Sequence, residues 1–260
     1  MIERDAQVVT RHGLMPTFAV HPEGTGPFPG VLLLMDAPGI REELRNIARR
    51  IARQDYFVLL PDMYYRLGHL RFDLPRRNDA MGAVIVAAMR HLNNDLVMED
   101  IAGALAFLDA QDKAKPGMVG ALGYCMSGRY AVVAAARFPH RFASVGSLYG
   151  VGMVNDDDSG SPHVLASSIK AEVYCGFAET DTSAPPEKVA ALKAAFDAAG
   201  VKHLTEVYPN SRHGYGFAAH ANYETIAAEK SWQCLFEMWD RTAQVVLVGE
   251  DDVDRHRDVL

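Results

Sequence analysis

Short runs of purely apolar residues alternate along this chain with segments whose apolar residues follow helical spacing. Residues 30–35 and 56–60 form two such runs, and between them Leu44, Ile47 and Ile51 recur at the spacing of one helix face. Strands made entirely of apolar residues are buried on both faces, as happens when helices cover a parallel sheet. The alternation therefore predicts an α/β fold with a mostly parallel central sheet and helices on both faces.

The same pattern continues to residue 241. Further strands are predicted at residues 118–122, 142–148, 173–177 and 203–208, and further helices at 80–89, 96–109, 126–137, 185–199 and 223–241. Residues 6–20 predict an antiparallel edge pair that turns at His12-Gly13, and residues 155–162 predict a polar surface loop. No repeat or linker interrupts the pattern, so residues 1–260 are interpreted as one domain with a frayed tail over 250–260.

Charge and cysteine content exclude several classes of protein. The 26 Lys and Arg against 33 Asp and Glu leave a formal charge of −7, which argues against nucleic acid or an anionic membrane as the main partner. Three cysteines are too few for a disulfide framework. The longest apolar run, 81–89, is too short to span a membrane, and the first residues lack the pattern of a signal peptide. We therefore expect a cytoplasmic protein.

The strongest candidate for chemistry is the segment Gly-Tyr-Cys-Met-Ser-Gly at 123–128, between a predicted buried strand and a predicted helix. A sharp strand-to-helix turn with small flanking residues is the setting of a nucleophile elbow, and Cys125 stands at its apex. The helix dipole would favour a thiolate there, and the N–H of Met126 is the expected first oxyanion donor. The alternatives are a structural Cys125, or Ser127 as nucleophile, although the apex is expected two residues after Gly123.

A nucleophilic thiol needs a base and a group that orients the base. Asp181 lies in a loop after a predicted strand, and His213 lies in a later loop, in the order nucleophile, acid, histidine. Glu179 and Asp197 are alternatives for the acid. No spacing typical of metal ligands and no glycine-rich phosphate loop occurs, so neither a metal nor a cofactor is predicted.

These segments together resemble the dienelactone hydrolase family of α/β-hydrolases, over about residues 29–238. The resemblance is carried by the sequences at 30–37, 60–64 and 119–128, by Asp181 before Pro185, and by His213-Gly. It implies an α/β-hydrolase fold and a triad with Cys125 as nucleophile, His213 as base and acid, and Asp181 as orienter. It also implies cleavage of a lactone or activated ester through an acyl-cysteine.

The family usually carries a glutamate that holds the resting thiol, and here the matching residue is the shorter Asp36. The next residue, Ala37, would supply the second oxyanion N–H. Phe217 stands at a substrate-binding position where the family carries an arginine, and the stretch 80–89 lacks the second such arginine. Ser127 replaces a usual glycine. Other arginines remain candidates for a substrate-binding cation, namely Arg41, Arg66, Arg71, Arg76, Arg77 and Arg212.

The sequence therefore predicts a cysteine-dependent hydrolase of a small, preferably neutral lactone or ester, acting as a monomer or dimer. Within enzymes, the alternative is an acyl or thioester hydrolase for a less polar substrate. From another class, the alternative is a non-hydrolytic member of the fold that binds a ligand or senses oxidants through Cys125.

Overall fold

The computed structural model describes the backbone of residues 1–254 and the side chains of residues 1–243. One eight-stranded sheet forms its centre, with the spatial order β1-β2-β4-β3-β5-β6-β7-β8. Its strands are β1 (Ile2–Thr10), β2 (Gly13–His21), β3 (Gly30–Leu34), β4 (Phe57–Pro61), β5 (Val119–Tyr124), β6 (Phe142–Leu148), β7 (Glu172–Thr180) and β8 (His203–Arg212). The six strands from β4 to β8 in this order run parallel, which confirms the predicted sheet.

The helices are α1 (Glu42–Ala52), α2 (Asp79–His91), α3 (Asn94–Asp109), α4 (Met126–Arg137), α5 (Pro186–Ala199) and α6 (Thr225–Asp254). Asn78 and Asn93 cap α2 and α3 by accepting backbone N–H bonds from Met81 and Leu96. Gly200 ends α5 in the left-handed conformation, as its place after the predicted helix indicates. All predicted helices are present, and their bounds lie within a few residues of those expected, except that α6 continues beyond residue 241.

Burial explains why the central strands are uniformly apolar. Every residue of β3 and β4 is buried, because helices cover both faces of the sheet. The hairpin of β1 and β2 pairs antiparallel from Ile2 with His21 to Thr10 with Gly13, around the turn predicted at His12-Gly13. Its second strand joins the sheet antiparallel to β4, so the hairpin extends the sheet at one edge.

Three segments differ from the sequence expectations. β8 continues to Arg212, which brings His213 to the end of the strand. The loop at 155–162 is not wholly exposed, because Ser161 is buried, accepts a hydrogen bond from the N–H of Asn155 and donates to the carbonyl of Met153. α6 extends to Asp254, and residues 255–260 of the predicted frayed tail lie outside the described residues.

The segment between β4 and α2 is held by a buried ion pair. Arg66 binds Asp100 of α3 through two bonds of 2.7 and 2.9 Å, and the hydroxyl of Tyr65 donates to the same carboxylate at 2.9 Å.

Among the described residues, no helix is long and apolar enough to cross a membrane, and no group of three potential metal ligands occurs.

Candidate active site

The turn from β5 into α4 has the backbone geometry of a nucleophile elbow. Cys125 adopts φ 54°, a left-handed conformation that is unusual for a residue with a side chain. The turn can be this tight because Gly123 and Gly128 lack side chains: a Cβ at Gly123 would collide with the Ser127 carbonyl, and one at Gly128 would lie 2.6 Å from the Cα of Gly150. The elbow thus places a partly exposed Cys125 at the N-terminus of α4.

Backbone contacts hold this elbow against the neighbouring strand end. The N–H of Cys125 donates to the carbonyl of Leu148 at 3.0 Å, and its carbonyl accepts from Val151 at 2.9 Å. The N–H of Met126 belongs to the first turn of α4, where the helix itself provides no acceptor. A donor is therefore available one residue from the thiol, as the sequence predicts.

His213 and Asp181 meet across the ends of the adjacent strands β7 and β8, which pair Thr180 with Arg212. The Nδ1 of His213 lies 2.6 Å from the Oδ2 of Asp181. The other carboxylate oxygen of Asp181 accepts the N–H of Ser183 at 2.8 Å, and the Asp181 side chain is almost fully buried. Together these contacts leave the Nε2 edge of the ring as the one that can face a reacting group.

The surroundings of His213 favour its protonated form. Burial lowers the pKa of the imidazole, but the hydrogen bond with Asp181 and the negative charges of Cys125 and Asp181 outweigh it and raise the pKa to about 10. The pKa of Asp181 is lowered, because the bond and charge of His213 more than offset its burial. The structure therefore joins His213 and Asp181 by a hydrogen bond and places Cys125 near enough to His213 to raise its pKa.

A cluster of aromatic rings packs against the ring of His213. The ring of Tyr149 lies edge-on to His213 with centroids 5.1 Å apart, and it also contacts Tyr215 and Phe217. Tyr149 follows β6 directly and adopts φ 41°. The sequence pattern assigned no role to Tyr149, although its place immediately after a predicted strand is a signal for a residue at the site.

Asp36 is positioned by an arginine. It lies just after β3, is 5% exposed, and pairs with Arg41 through two contacts, one of 3.1 Å between Oδ2 and Nη2. Burial raises the pKa of Asp36 against the opposing effect of the Arg41 charge. Arg41 also pairs with Glu43 at 3.1 Å. The carboxylate expected to position the thiol is thus engaged by Arg41, and its role towards Cys125 stays a prediction.

The location of Phe217 differs from the expectation of an apolar substrate-binding wall. Its ring is 2% exposed, and the guanidinium of Arg41 lies 4.5 Å above it. The physical reason is that a large ring buries well against Tyr124, while the flat guanidinium stacks on its open face. Arg41, one of six arginines that the sequence offered as candidates, therefore covers this position.

Two other candidate arginines bind partners other than Phe217. Arg66 is committed to Asp100, and Arg71 bonds the ring of His69. The alternative acids are also occupied: Glu179 accepts the N–H of Asn210, and Asp197 pairs with Lys193 and His203. These contacts distinguish the alternative acids from Asp181, and the other arginines from Arg41, which spacing along the chain could not do.

Ser127, the rival nucleophile, is fully buried. Its hydroxyl lies within hydrogen-bond distance of the carbonyls of Leu34 and Tyr124, at 3.1 Å each, and accepts the N–H of Tyr124 at 3.0 Å. A hydroxyl with these partners joins the end of β3 to the base of the elbow. It does not face the side on which Cys125 is exposed.

Tyr64 connects the loop after β4 to the predicted oxyanion loop. Its hydroxyl donates to the carbonyl of Ala37 at 2.8 Å and lies 3.3 Å from the sulfur of Met126. Tyr64 belongs to the sequence at 60–64 that carries the family resemblance, but the sequence alone assigned it no role. Its contacts fix the peptide that follows Ala37, the residue whose N–H is expected to face an oxyanion.

The sheet order, the elbow and the hydrogen-bonded histidine and aspartate define an α/β-hydrolase. The model of the dienelactone hydrolase family matches residues 15–242, and the chain belongs to that family as a dienelactone hydrolase-like hydrolase. It is 27% identical over 238 residues to a Methylorubrum extorquens protein provisionally named carboxymethylenebutenolidase, covering 90% of this chain and 79% of that protein. It is also 27% identical to the carboxymethylenebutenolidase of Rhodococcus opacus over 221 residues, covering 84% and 82%.

Solved structures agree on the fold. A Klebsiella pneumoniae protein provisionally named dienelactone hydrolase superposes with a TM-score of 0.81 at 22% identity, covering 92% of this chain and 98% of that one.

Proposed function

We propose that this protein hydrolyses a lactone or small carboxylic ester through an acyl-cysteine formed on Cys125. The observation that carries the proposal is Cys125, with its positive φ at the N-terminus of α4, close to a His213 that bonds Asp181 at 2.6 Å. Membership of the family and its likeness to proteins named for carboxymethylenebutenolidase activity support the same reaction class.

In the first step, the thiolate of Cys125 attacks the acyl carbon and forms a carbon–sulfur bond. The carbonyl electron pair moves to oxygen, where the N–H groups of Met126 and Ala37 stabilise the oxyanion. The pKa of His213 is raised to about 10, so the ring holds a proton at neutral pH and donates it to the leaving alkoxide. In a lactone, that alkoxide stays attached to the acyl group as the ring opens.

In the second step, water attacks the thioester. His213, now neutral, accepts a proton from that water, and the oxyanion reforms between the same two N–H groups. The carbon–sulfur bond breaks, the thiolate leaves, and the imidazolium is restored beside it. Asp181 holds the ring in one orientation through both steps.

The charges around Arg41 favour an uncharged substrate. Arg41 is paired with both Asp36 and Glu43, so an incoming carboxylate meets a cation that two carboxylates already neutralise. Placing a carboxylate in a partly buried site without a partner costs several kcal/mol. A neutral lactone or aryl ester is therefore the proposed substrate class.

The test is to trap the covalent intermediate. The enzyme is mixed with p-nitrophenyl acetate, quenched in acid, digested and analysed by mass spectrometry. We expect acetylation on the peptide that contains Cys125, and we expect iodoacetamide to abolish both the adduct and the turnover. Turnover that survives complete alkylation of Cys125 would contradict the proposal. A thiol that is alkylated readily but gives no turnover with any ester would instead support a sensing role.

A further inference from the structure

The loop after β8 folds back on the histidine that it carries. Backbone hydrogen bonds of 2.9 to 3.2 Å close one turn after another between residues 212 and 223, and the N–H of Glu224 then bonds the carbonyl of Tyr215 at 3.1 Å. Loops whose ends meet in this way are compact units that pack on their own side chains. Two side chains of this loop, those of His220 and Asn222, contact the backbone at residues 213 and 214.

Asn222 binds the main chain of His213. Its side-chain amide donates a hydrogen bond to the carbonyl of His213 at 2.8 Å. Asp181 bonds the ring of the same histidine at 2.6 Å. His213 is therefore held at two points, one on its ring and one on its backbone. The second point matters because the pairing of β8 with β7 ends at Arg212, one residue before His213.

The ring of His220 packs against the residue that follows His213. Gly214 adopts φ +89°, and a Cβ built on it would lie 2.9 to 3.1 Å from three ring atoms of His220. The Nδ1 of this ring accepts the N–H of Asn222 at 3.1 Å, so the proton of the neutral ring lies on Nε2. Burial and the positive charge of His213 lower the pKa of His220, which favours the neutral form that this bond requires.

The same loop is anchored to α1. The N–H of Ala219 donates to the carboxylate of Glu43 at 2.8 Å, and Glu43 also pairs with Arg41 at 3.1 Å. The guanidinium of Arg41 lies over the ring of Phe217, in the middle of the loop. The turn that carries the amide is thus braced against a helix as well as against its own loop.

We propose that Asn222 is a positioning residue for His213: its amide fixes the backbone of the histidine so that the imidazole, bonded to Asp181, keeps one orientation. The proposal rests on the proposed function, in which His213 gives a proton to the leaving alkoxide and accepts one from water. Groups that transfer protons must be held within about 0.5 Å of their productive geometry. His220 supports Asn222 in this role, because it accepts the backbone N–H of that residue.

The test compares Asn222→Ala with the matched control Asn94→Ala. Asn94 also donates its side-chain amide to a backbone carbonyl at 2.8 Å, that of Gly160, and this bond joins α3 to the loop after β6. With p-nitrophenyl acetate, Asn222→Ala is expected to lower kcat roughly tenfold and to keep KM within about twofold, because a misplaced base affects the transition state more than binding. Asn94→Ala is expected to keep both values. Asn222→Asp, which has the same shape but no N–H donor, is expected to lower kcat at least as much.

A second measurement does not depend on turnover. NMR of selectively labelled histidine rings follows the titration of His213, whose signal is assigned by its loss in His213→Gln. Without the amide, the ring is held less firmly against Asp181, so the pKa of His213 is expected to move down from about 10 in Asn222→Ala, with a roughly tenfold loss of proton affinity. Asn94→Ala is expected to keep the wild-type titration. A merely structural role of Asn222 would lower the melting temperature and leave the titration unchanged.

The outcomes separate this proposal from the proposed function. Where the wild type hydrolyses the ester, the proposal requires that both kcat and the His213 titration change in Asn222→Ala, that kcat falls in Asn222→Asp, and that neither quantity changes in Asn94→Ala. Any other pattern overturns it. A wild type without turnover that depends on Cys125 would contradict the proposed function instead, and the titration alone would then decide whether Asn222 positions the histidine.

Discussion

The two ends of the sheet's carboxyl edge use their charged groups differently. At the β7–β8 end, Asp181 and His213 form a short hydrogen bond that leaves one ring edge available beside Cys125. At the β4–β3 end, Arg41 is saturated by Asp36 and Glu43 and stacked on Phe217. The first arrangement prepares groups for proton transfer, whereas the second neutralises charge within the protein. The proposed function therefore assigns proton transfer to one end and substrate selection to the other.

The side chains described for residues 1–243 include two buried Arg–Asp pairs of similar geometry, which allow a second comparison. Arg41 binds Asp36, and Arg66 binds Asp100, each through two guanidinium nitrogens. In both pairs, burial raises the pKa of the carboxyl against the effect of the arginine. One pair adjoins the candidate site, while the other fastens the segment after β4 to α3. Because the two pairs have the same chemistry, only their location distinguishes the role proposed for Arg41 in selectivity from the structural role of Arg66.

The largest expected effect is at the β5 elbow. Cys125→Ala should lower kcat/KM for p-nitrophenyl acetate at least about a thousandfold, because it removes the nucleophile itself. Cys125→Ser should retain only a trace, since the proposed mechanism depends on a sulfur nucleophile and hydroxyl is a weaker one at neutral pH. The matched control is Cys234→Ala, a buried cysteine on α6, which should keep near-wild-type turnover. Near-full activity in Cys125→Ala, with loss in Ser127→Ala, would make Ser127 the nucleophile.

The next effect tests the β7–β8 end. His213→Ala should lower kcat on the order of a thousandfold, and Asp181→Asn by a smaller factor, because an unoriented histidine still transfers protons. Steady-state kinetics at fixed pH give both values. Glu179→Gln, which changes the neighbouring acid bonded to Asn210, serves as the control and should change little. A harmless Asp181→Asn beside a damaging Glu179→Gln would reassign the orienting acid.

A smaller effect tests the β4–β3 end. For one lactone prepared with and without a carboxylate, the neutral form should have about tenfold higher kcat/KM, equivalent to about 1.4 kcal/mol. Glu43→Gln removes one of the two partners of Arg41 and should narrow that preference. Asp100→Asn disturbs the distant Arg66 pair and should leave the preference unchanged. A wild type that prefers the carboxylated lactone would contradict the assignment of Arg41 as a neutralised cation.

The last effect concerns stability instead of turnover and is a pH dependence of unfolding. The pKa of His213 is raised from 6.5 to about 10 in the folded protein, so folding binds a proton more tightly. The resulting stabilisation is fully present below about pH 6.5 and is lost as the pH rises to about 10. Urea unfolding should therefore show the wild type losing stability relative to His213→Gln over this window. A difference that stays constant from pH 6 to 10 would show that Asp181 and Cys125 do not stabilise the protonated imidazole.

Local patterns were sufficient to predict most of the architecture. Uniformly apolar runs such as 30–35 can be buried only inside a covered sheet, and helical spacing with end signals such as Gly200 located the helices. The elbow was also predictable, because a tight strand-to-helix turn needs small residues at fixed offsets from Cys125. These properties depend on near neighbours in the chain, so the sequence by itself determined them.

Only the tertiary structure decided which charged groups meet. In the sequence, Arg41 and Arg66 were equal candidates for a substrate-binding cation. Phe217 was expected to form an apolar wall of the substrate site, but in the structure the guanidinium of Arg41 stacks over its ring. Tyr64 and Tyr149 had no assigned role, because their contacts with Ala37 and His213 join loops from different strands. A side chain of an arginine or tyrosine can reach many partners, and its choice depends on strand order and loop path. Spacing along the chain does not contain that information.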